Sequence, residues 1–211
     1  MAVIRQKRDV QGFDEVLLSG IGDLHLVQGN TESLEIEAEE QTLERLESEV
    51  IGRRLRLGVK GWLDNLLVHG PIDYYLTMKE IKSVRVSGAG NLDAGTLQSA
   101  DLELEVSGTG RMVIQRLQGE ELSMRVSGSG QAEIGGKVVS NDLHVSGSAT
   151  LSMKDLETQK TRISVSGSCD ATVQALDSLD VSISGAAKVK YLGAPHLTQH
   201  ITGLGKVEPA E

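Results

Sequence analysis

From Val84 to Val207 the chain alternates apolar and polar residues, and at nearly fixed intervals a Ser-Gly or Thr-Gly pair followed by small residues interrupts the alternation. The stretch Val84-Arg-Val-Ser-Gly-Ala-Gly-Asn-Leu92 returns as Leu104-Glu-Val-Ser-Gly-Thr-Gly, Met124-Arg-Val-Ser-Gly-Ser-Gly, Leu143-His-Val-Ser-Gly-Ser-Ala, Ile163-Ser-Val-Ser-Gly-Ser-Cys, Val181-Ser-Ile-Ser-Gly-Ala-Ala and Gln199-His-Ile-Thr-Gly-Leu-Gly. The motif glycines are Gly88, Gly108, Gly128, Gly147, Gly167, Gly185 and Gly203, so the period runs 20, 20, 19, 20, 18 and 18 residues. With the residue before each glycine as position zero, position −1 is Val or Ile throughout and position −3 is aliphatic or Met until Gln199. Positions +5 and +7 are apolar up to Pro209, whereas +4 holds Asn91, Arg111, Gln131, Thr150, Asp170, Lys188 and Lys206. Because successive side chains of a strand point to opposite faces, the first set is read as inward and the +4 set as outward.

Burying about five side chains cannot offset the ordering of a 20-residue coil, so no coil stands alone. Stacking resolves this: strand groups pair with the coils above and below, and like side chains line up in columns. The pattern therefore predicts an all-β, single-stranded parallel β-helix of about 18–20 residues per coil. Each coil is expected to hold two short strands, a Ser-Gly bend and a variable return. The glycine column fits a bend requiring positive φ or the absence of Cβ, and the serines could form a hydroxyl ladder along the axis. At position +3 stand Gly90, Gly110, Gly130, Ala149, Cys169, Ala187 and Gly205, which makes Cys169 a small structural residue. The outward −2 column begins Arg85, Glu105, Arg125, and this alternation of sign is expected to control coil register.

Residues 1–80 are read as irregular N-terminal coils and cap, residues 81–207 as the regular array, and the whole of 1–211 as one domain. Ser19-Gly20-Ile-Gly-Asp-Leu24 is an early copy of the motif. Leu34, Ile36 and Ala38 alternate with Glu35, Glu37 and Glu39, as do Leu55, Leu57 and Val59 with their neighbours, and both runs predict strands. Leu43, Leu46 and Val50 recur at steps of three and four and predict a short helix near residues 40–49. Trp62, Leu63, Leu66 and Leu67 form an apolar excursion, read first as an internal cap, second as a contact with another subunit and third as a ligand-binding patch.

The chain has 211 residues, with aromatics at 2% and a formal net charge of −9. A core short of aromatics suits a narrow interior, and an acidic surface repels phosphate, so nucleic acid is a poor partner. No apolar run approaches the roughly 18 residues of a membrane span, and Ala2 to Ile4 is too short for the core of a signal peptide. A single cysteine, Cys169, excludes an internal disulfide.

No catalytic, cofactor-binding or metal site is expected. His196 and His200 are four apart, but Pro195 and the alternation around them argue against a helical metal pair. His25, His69 and His144 occur in separate contexts and read as surface residues. Ser87, Ser107 and the other motif serines have no spaced base, and Gly88-Ala-Gly90 marks a bend and not a phosphate loop. The outward +6 column, Asp93, Val113, Glu133, Ser152, Thr172, Lys190 and Glu208, has no adjacent acidic pair of the kind glycoside hydrolysis needs.

Arg8-Asp-Val leading through Phe13 into Leu18-Ser-Gly, then a Glu-rich segment, then serial Val-Ser-Gly coils, together resemble the "putative auto-transporter adhesin, head GIN domain" family over residues 8 to 207. The resemblance implies a right-handed β-helix from a bacterial envelope or secreted protein with no established activity. The function expected on that basis is a non-catalytic, extracytoplasmic scaffold or adhesin-like module, able to self-associate or to meet an envelope partner. A bactofilin-like polymer is the second expectation, and a polysaccharide-active enzyme the third.

Overall fold

Backbone pairing places like motif positions on top of one another from coil to coil. The computed structural model describes residues 3–61, 68 and 70–210; Trp62, Leu63, Leu66, Leu67 and His69 lie outside these, and with them the expected apolar cap. In the array, β9 (Ala89–Val106), β10 (Thr109–Val126), β11 (Ser129–Val145), β12 (Ser148–Val165) and β13 (Ser168–Ile183) stack in parallel. The register sets Val86 beside Val106, Val106 beside Val126 and Val126 beside Val145. β14 (Ala186–Leu192), β15 (His196–Ile201) and β16 (Leu204–Pro209) complete the stack, β14 and β15 on β13 and β16 on β14.

Between one Ser-Gly bend and the next, a middle coil is strand throughout, so the variable return expected from sequence is a further length of ladder. The shorter periods are absorbed there: pairing between β10 and β11 slips one residue after Ile114, where Gly136 has φ +121°.

The motif glycines do not use positive φ; their reason is closeness. A Cβ on Gly108 would lie 1.9 Å from the Gly88 carbonyl oxygen, and the same contact recurs at 1.9 Å for Gly128 and Gly167 and at 2.0 Å for Gly147. Nor do the serine hydroxyls form a ladder. The backbone does: Ser107 N–H donates to Val86 O and Thr109 N–H to Gly88 O, both at 2.9 Å, and this pattern repeats up the stack while the motif serine side chains face solvent.

The inward columns are buried as patterned, with Leu104, Met112, Leu143, Met153, Ile163 and Val181 at no more than 1% exposure. Position +3 also points inward. A Cβ on Gly130 would meet the methyls of Val126 at 3.0 Å, so the Val column is what keeps +3 small and leaves Cys169 buried.

The N-terminal coils do not stack in chain order. β2 (Glu15–Leu18) and β3 (Ile21–Gln28) pair with β8 (Ser83–Val86) and β9 on one side, and with β6 (Arg54–Val59) and β7 (Asp73–Met78) on the other. The early motif copy is therefore a true coil: a Cβ on Gly88 would stand 1.8 Å from Gly20 O. Where β3 ends, the Gln28 side-chain amide takes over its pairing. It donates to Gln98 O at 2.9 Å and accepts from Gln98 N–H at 2.7 Å.

Beyond this coil the pairing turns antiparallel. β4 (Ser33–Glu39) lies on β7, β1 (Val3–Arg8) lies on β4, and β5 (Leu46–Ile51) lies on β6. The helix expected near 40–49 is a single turn, α1 (Glu40–Leu43). From Leu46 onward, period-two alternation prevails because it buries Leu46 against the core and pairs Val50 with Leu55. Asp14, whose side chain is 2% exposed, ties the cap to the array by taking Arg53 at 2.8 Å and Lys82 at 2.9 Å.

A groove along the coils and a polar platform at the cap

Outward side chains at +2 and +4 stand on either side of the buried +3 backbone in every coil. Repeated coil by coil, they form a groove of about 960 Å³ that crosses seven strands from Ala89 to Leu204. Six spacings of about 4.8 Å make its length roughly 29 Å. One wall carries the hydroxyls of Thr109, Ser129, Ser148 and Ser168; the other carries the +4 residues Asn91, Arg111, Gln131, Thr150, Asp170 and Lys188. Its floor is backbone and small side chain, so the groove is shallow, neutral along one wall and of mixed charge along the other.

The second feature is a row of acids that only the pairing reveals. Glu37 lies opposite Asp73 across β4 and β7, and Asp73 lies beside Asp23 across β7 and β3. Each is engaged: Arg5 reaches Glu37 at 2.7 Å, His25 Nε2 lies 2.8 Å from Asp73 Oδ1, and the Asn91 amide donates to Asp23 at 2.7 Å. Its hydrogen bond to the Glu37 carboxylate raises the pKa of the Arg5 guanidinium. In the adjoining row Tyr75 is sandwiched, with Arg5 4.1 Å above its ring and His25 stacked at 4.9 Å. Residues 32 to 70 positions apart build this platform, and no local motif announces it.

The histidines and serines weighed from sequence are not brought together. His196 and His200 sit on β15, whose outer edge has no partner among the described residues; His144 lies 3.2 Å from Asp142; His25 belongs to the platform. Ser87 and Ser107 are exposed at successive bends. No cluster of three or more His, Cys, Asp or Glu able to hold a metal ion occurs among the described residues. Burial, reinforced by Asp170, pushes the Cys169 thiol up to about 12. The −2 column is corrected in detail. Glu103, two residues before Glu105, receives Arg85 at 2.9 Å from one neighbouring coil and Arg125 at 2.7 Å from the other; Glu105 keeps a 3.5 Å contact to Arg85. Diagonal neighbours are within reach of long side chains, and the arginines use that reach. Arg85 and Arg125 thus pair between neighbouring coils, mainly through Glu103.

Several solved structures share the fold. A "putative adhesin" from Bacteroides fragilis superposes with a TM-score of 0.90 at 20% identity, covering 99% of this chain and 97% of that one. A "putative lipid binding protein" from Parabacteroides distasonis gives 0.74 at 19% identity, covering 99% and 97%. A "putative adhesin" from Parabacteroides merdae gives 0.72 at 17% identity, covering 99% and 96%. No curated protein sequence matches. Residues 12–195 match the family model described as "putative auto-transporter adhesin, head GIN domain".

Proposed function

The chain belongs to the "putative auto-transporter adhesin, head GIN domain" family, and from that membership we propose that it is a non-catalytic module working outside the cytoplasm, a stiff stack of coils that holds an extended ligand along one edge. The observation that carries this reading is the uninterrupted groove from Ala89 to Leu204. Its floor is held by two sets of contacts, backbone bonds from coil to coil and the packed Val column beneath. A ligand lying there meets a preformed surface, which limits the ordering cost of binding.

Two further facts support the non-catalytic half of the reading. The acids of the platform are each tied to a partner, and the one acid lining the groove among the described residues, Asp170, stands on the wall opposite the hydroxyls. No helix among the described residues is long and apolar enough to cross a membrane. The fold relative described as lipid-binding makes an acyl chain one candidate occupant, alongside a glycan or an extended peptide.

The test is binding of the purified chain to immobilised glycans, matrix proteins and phospholipid vesicles. Ser148→Tyr, at an exposed wall position, would be run beside it to block the groove without touching the core. Retention on one of these surfaces, lost in the variant, is the expected result. Release of reducing ends from a polysaccharide would replace the reading with an enzyme. Binding unchanged in Ser148→Tyr would move the contact away from the groove.

A further inference from the structure

The two ends of the stack are finished differently. At the N-terminal end, antiparallel β1, β4 and β5 close the core, and Leu34, Ile36, Leu43, Leu46 and Tyr74 are exposed by no more than 3%. The outer strands there carry Arg5, Lys7 and Arg8 on β1 and Glu47 and Glu49 on β5, charges that discourage further pairing.

At the C-terminal end the described residues leave the core uncovered. Leu197, Ile201 and Val207 continue columns whose earlier members, Leu179, Ile183 and Val189, are exposed by at most 1%, yet Leu197 and Val207 are only half-buried and Ile201 is 36% exposed. Leu204, at the rim of the same coil, is 84% exposed. The outer edges of β15 and β16 have no partner strand among the described residues. An apolar layer and an unpaired strand edge therefore coincide.

We infer that this end is an interface with a second copy of the chain, two C-terminal coils meeting tail to tail about a two-fold axis. The charges of β16 select that arrangement. An axis through Val207 runs the two β16 strands antiparallel and sets Lys206 of each copy opposite Glu208 of the other, on the same face and twice over. Within one copy Lys206 already grips Glu208, and that hydrogen bond, with Lys188 adding to it, holds the Glu208 carboxyl below its ordinary value. The copies thus add a symmetric four-charge cluster around Val207. The same coil limits growth. Gln199 and Pro209 replace inward apolar residues, Pro209 has no N–H to offer a ladder, and the far end of each copy is closed. The assembly is a dimer and not a fibre.

Sedimentation equilibrium of the 211-residue chain over a range of concentrations tests this. A monomer–dimer equilibrium is expected, and Leu204→Asp should leave the thermal transition unchanged while weakening the dimer at least about tenfold, since it sets two buried charges at the interface. Lys206→Glu and Glu208→Lys should each weaken self-association, and an equimolar mixture of the two should restore it, because the mixed pair recovers opposite charges at both crossings. A wild-type chain that is monomeric throughout, a dimer indifferent to Leu204→Asp, or a mixture that fails to recover would each overturn the interface.

Discussion

Gly108 lies so close over Gly88 that a Cβ on it would stand 1.9 Å from the Gly88 carbonyl oxygen, well inside the closest approach of two atoms. The neighbour it would strike is backbone, fixed by the Thr109 N–H to Gly88 O bond at 2.9 Å. Coils meet here on their main chains, and the repeated glycine records that contact.

Gly108→Ala must therefore push two coils apart, and a loss of about 3 kcal/mol or more is expected from chemical denaturation. Gly95→Ala is the control. A Cβ there meets nothing within 4 Å and φ is not positive, so it should be neutral or stabilise by up to about 1 kcal/mol. Equal effects at the two sites would remove the close-approach explanation.

Val126 is 2% exposed, with Val106 and Val145 on the adjacent coils. Val126→Asp places an unpaired carboxylate in the stacked interior, where no partner can reach it. A loss of about 4 kcal/mol or more is expected, enough to abolish the cooperative thermal transition of a marginally stable chain. A transition within two or three degrees of the wild type would show that this column does not face inward.

The Asp14 carboxyl is held below the ordinary aspartate value, chiefly by the hydrogen bond from Arg53 and then by Lys82. A group lowered in the folded state contributes stability above its unfolded value, near 3.8, and loses it as pH falls through the folded one. The cap should thus lose stability below about pH 4 through this carboxyl. Asp14→Asn should cost about 1–3 kcal/mol at pH 7 and flatten the acid limb of the stability curve. An acid limb identical to that of the wild type would assign it to other carboxyls.

Cys169 is buried and its thiol is pushed up to about 12, chiefly by burial. At pH 8 roughly one molecule in ten thousand then carries the thiolate, the nucleophilic form. A chromogenic disulfide reagent should leave the folded chain unlabelled for hours and label one thiol at once in denaturant. Prompt labelling of the folded chain would show that this coil opens or that the thiol is accessible.

The array was legible because the same inference could be repeated seven times. Each Val-Ser-Gly fixed an inward residue and a bend, and the columns agreed with one another; the close approach behind each glycine emerges only from the stacked coils. The cap was not, because its neighbours are distant in sequence: β3 sits between β7 and β9, and Glu37, Asp73 and Asp23 meet only through that arrangement. The Leu43, Leu46, Val50 spacing fits helix and strand alike over so short a run, and pairing with β6 decided for strand after one helical turn. The groove was half visible. Its small +3 floor stood in the sequence, but that the walls at +2 and +4 leave open space between them depends on the shape of the bend.

The central claim is that equivalent positions of successive coils are spatial neighbours. Gln131 and Thr150 are register partners on the exposed +4 column, and Cα atoms about 4.8 Å apart suit a disulfide. In a Cys169→Ala background, Gln131→Cys/Thr150→Cys should oxidise to an internal disulfide nearly completely. Gln131→Cys/Ser152→Cys, displaced by two residues along the strand and so about 8 Å away, should not. Efficient bridging of the second pair with none in the first would contradict the stacked register on which the fold, the groove and the interface all depend.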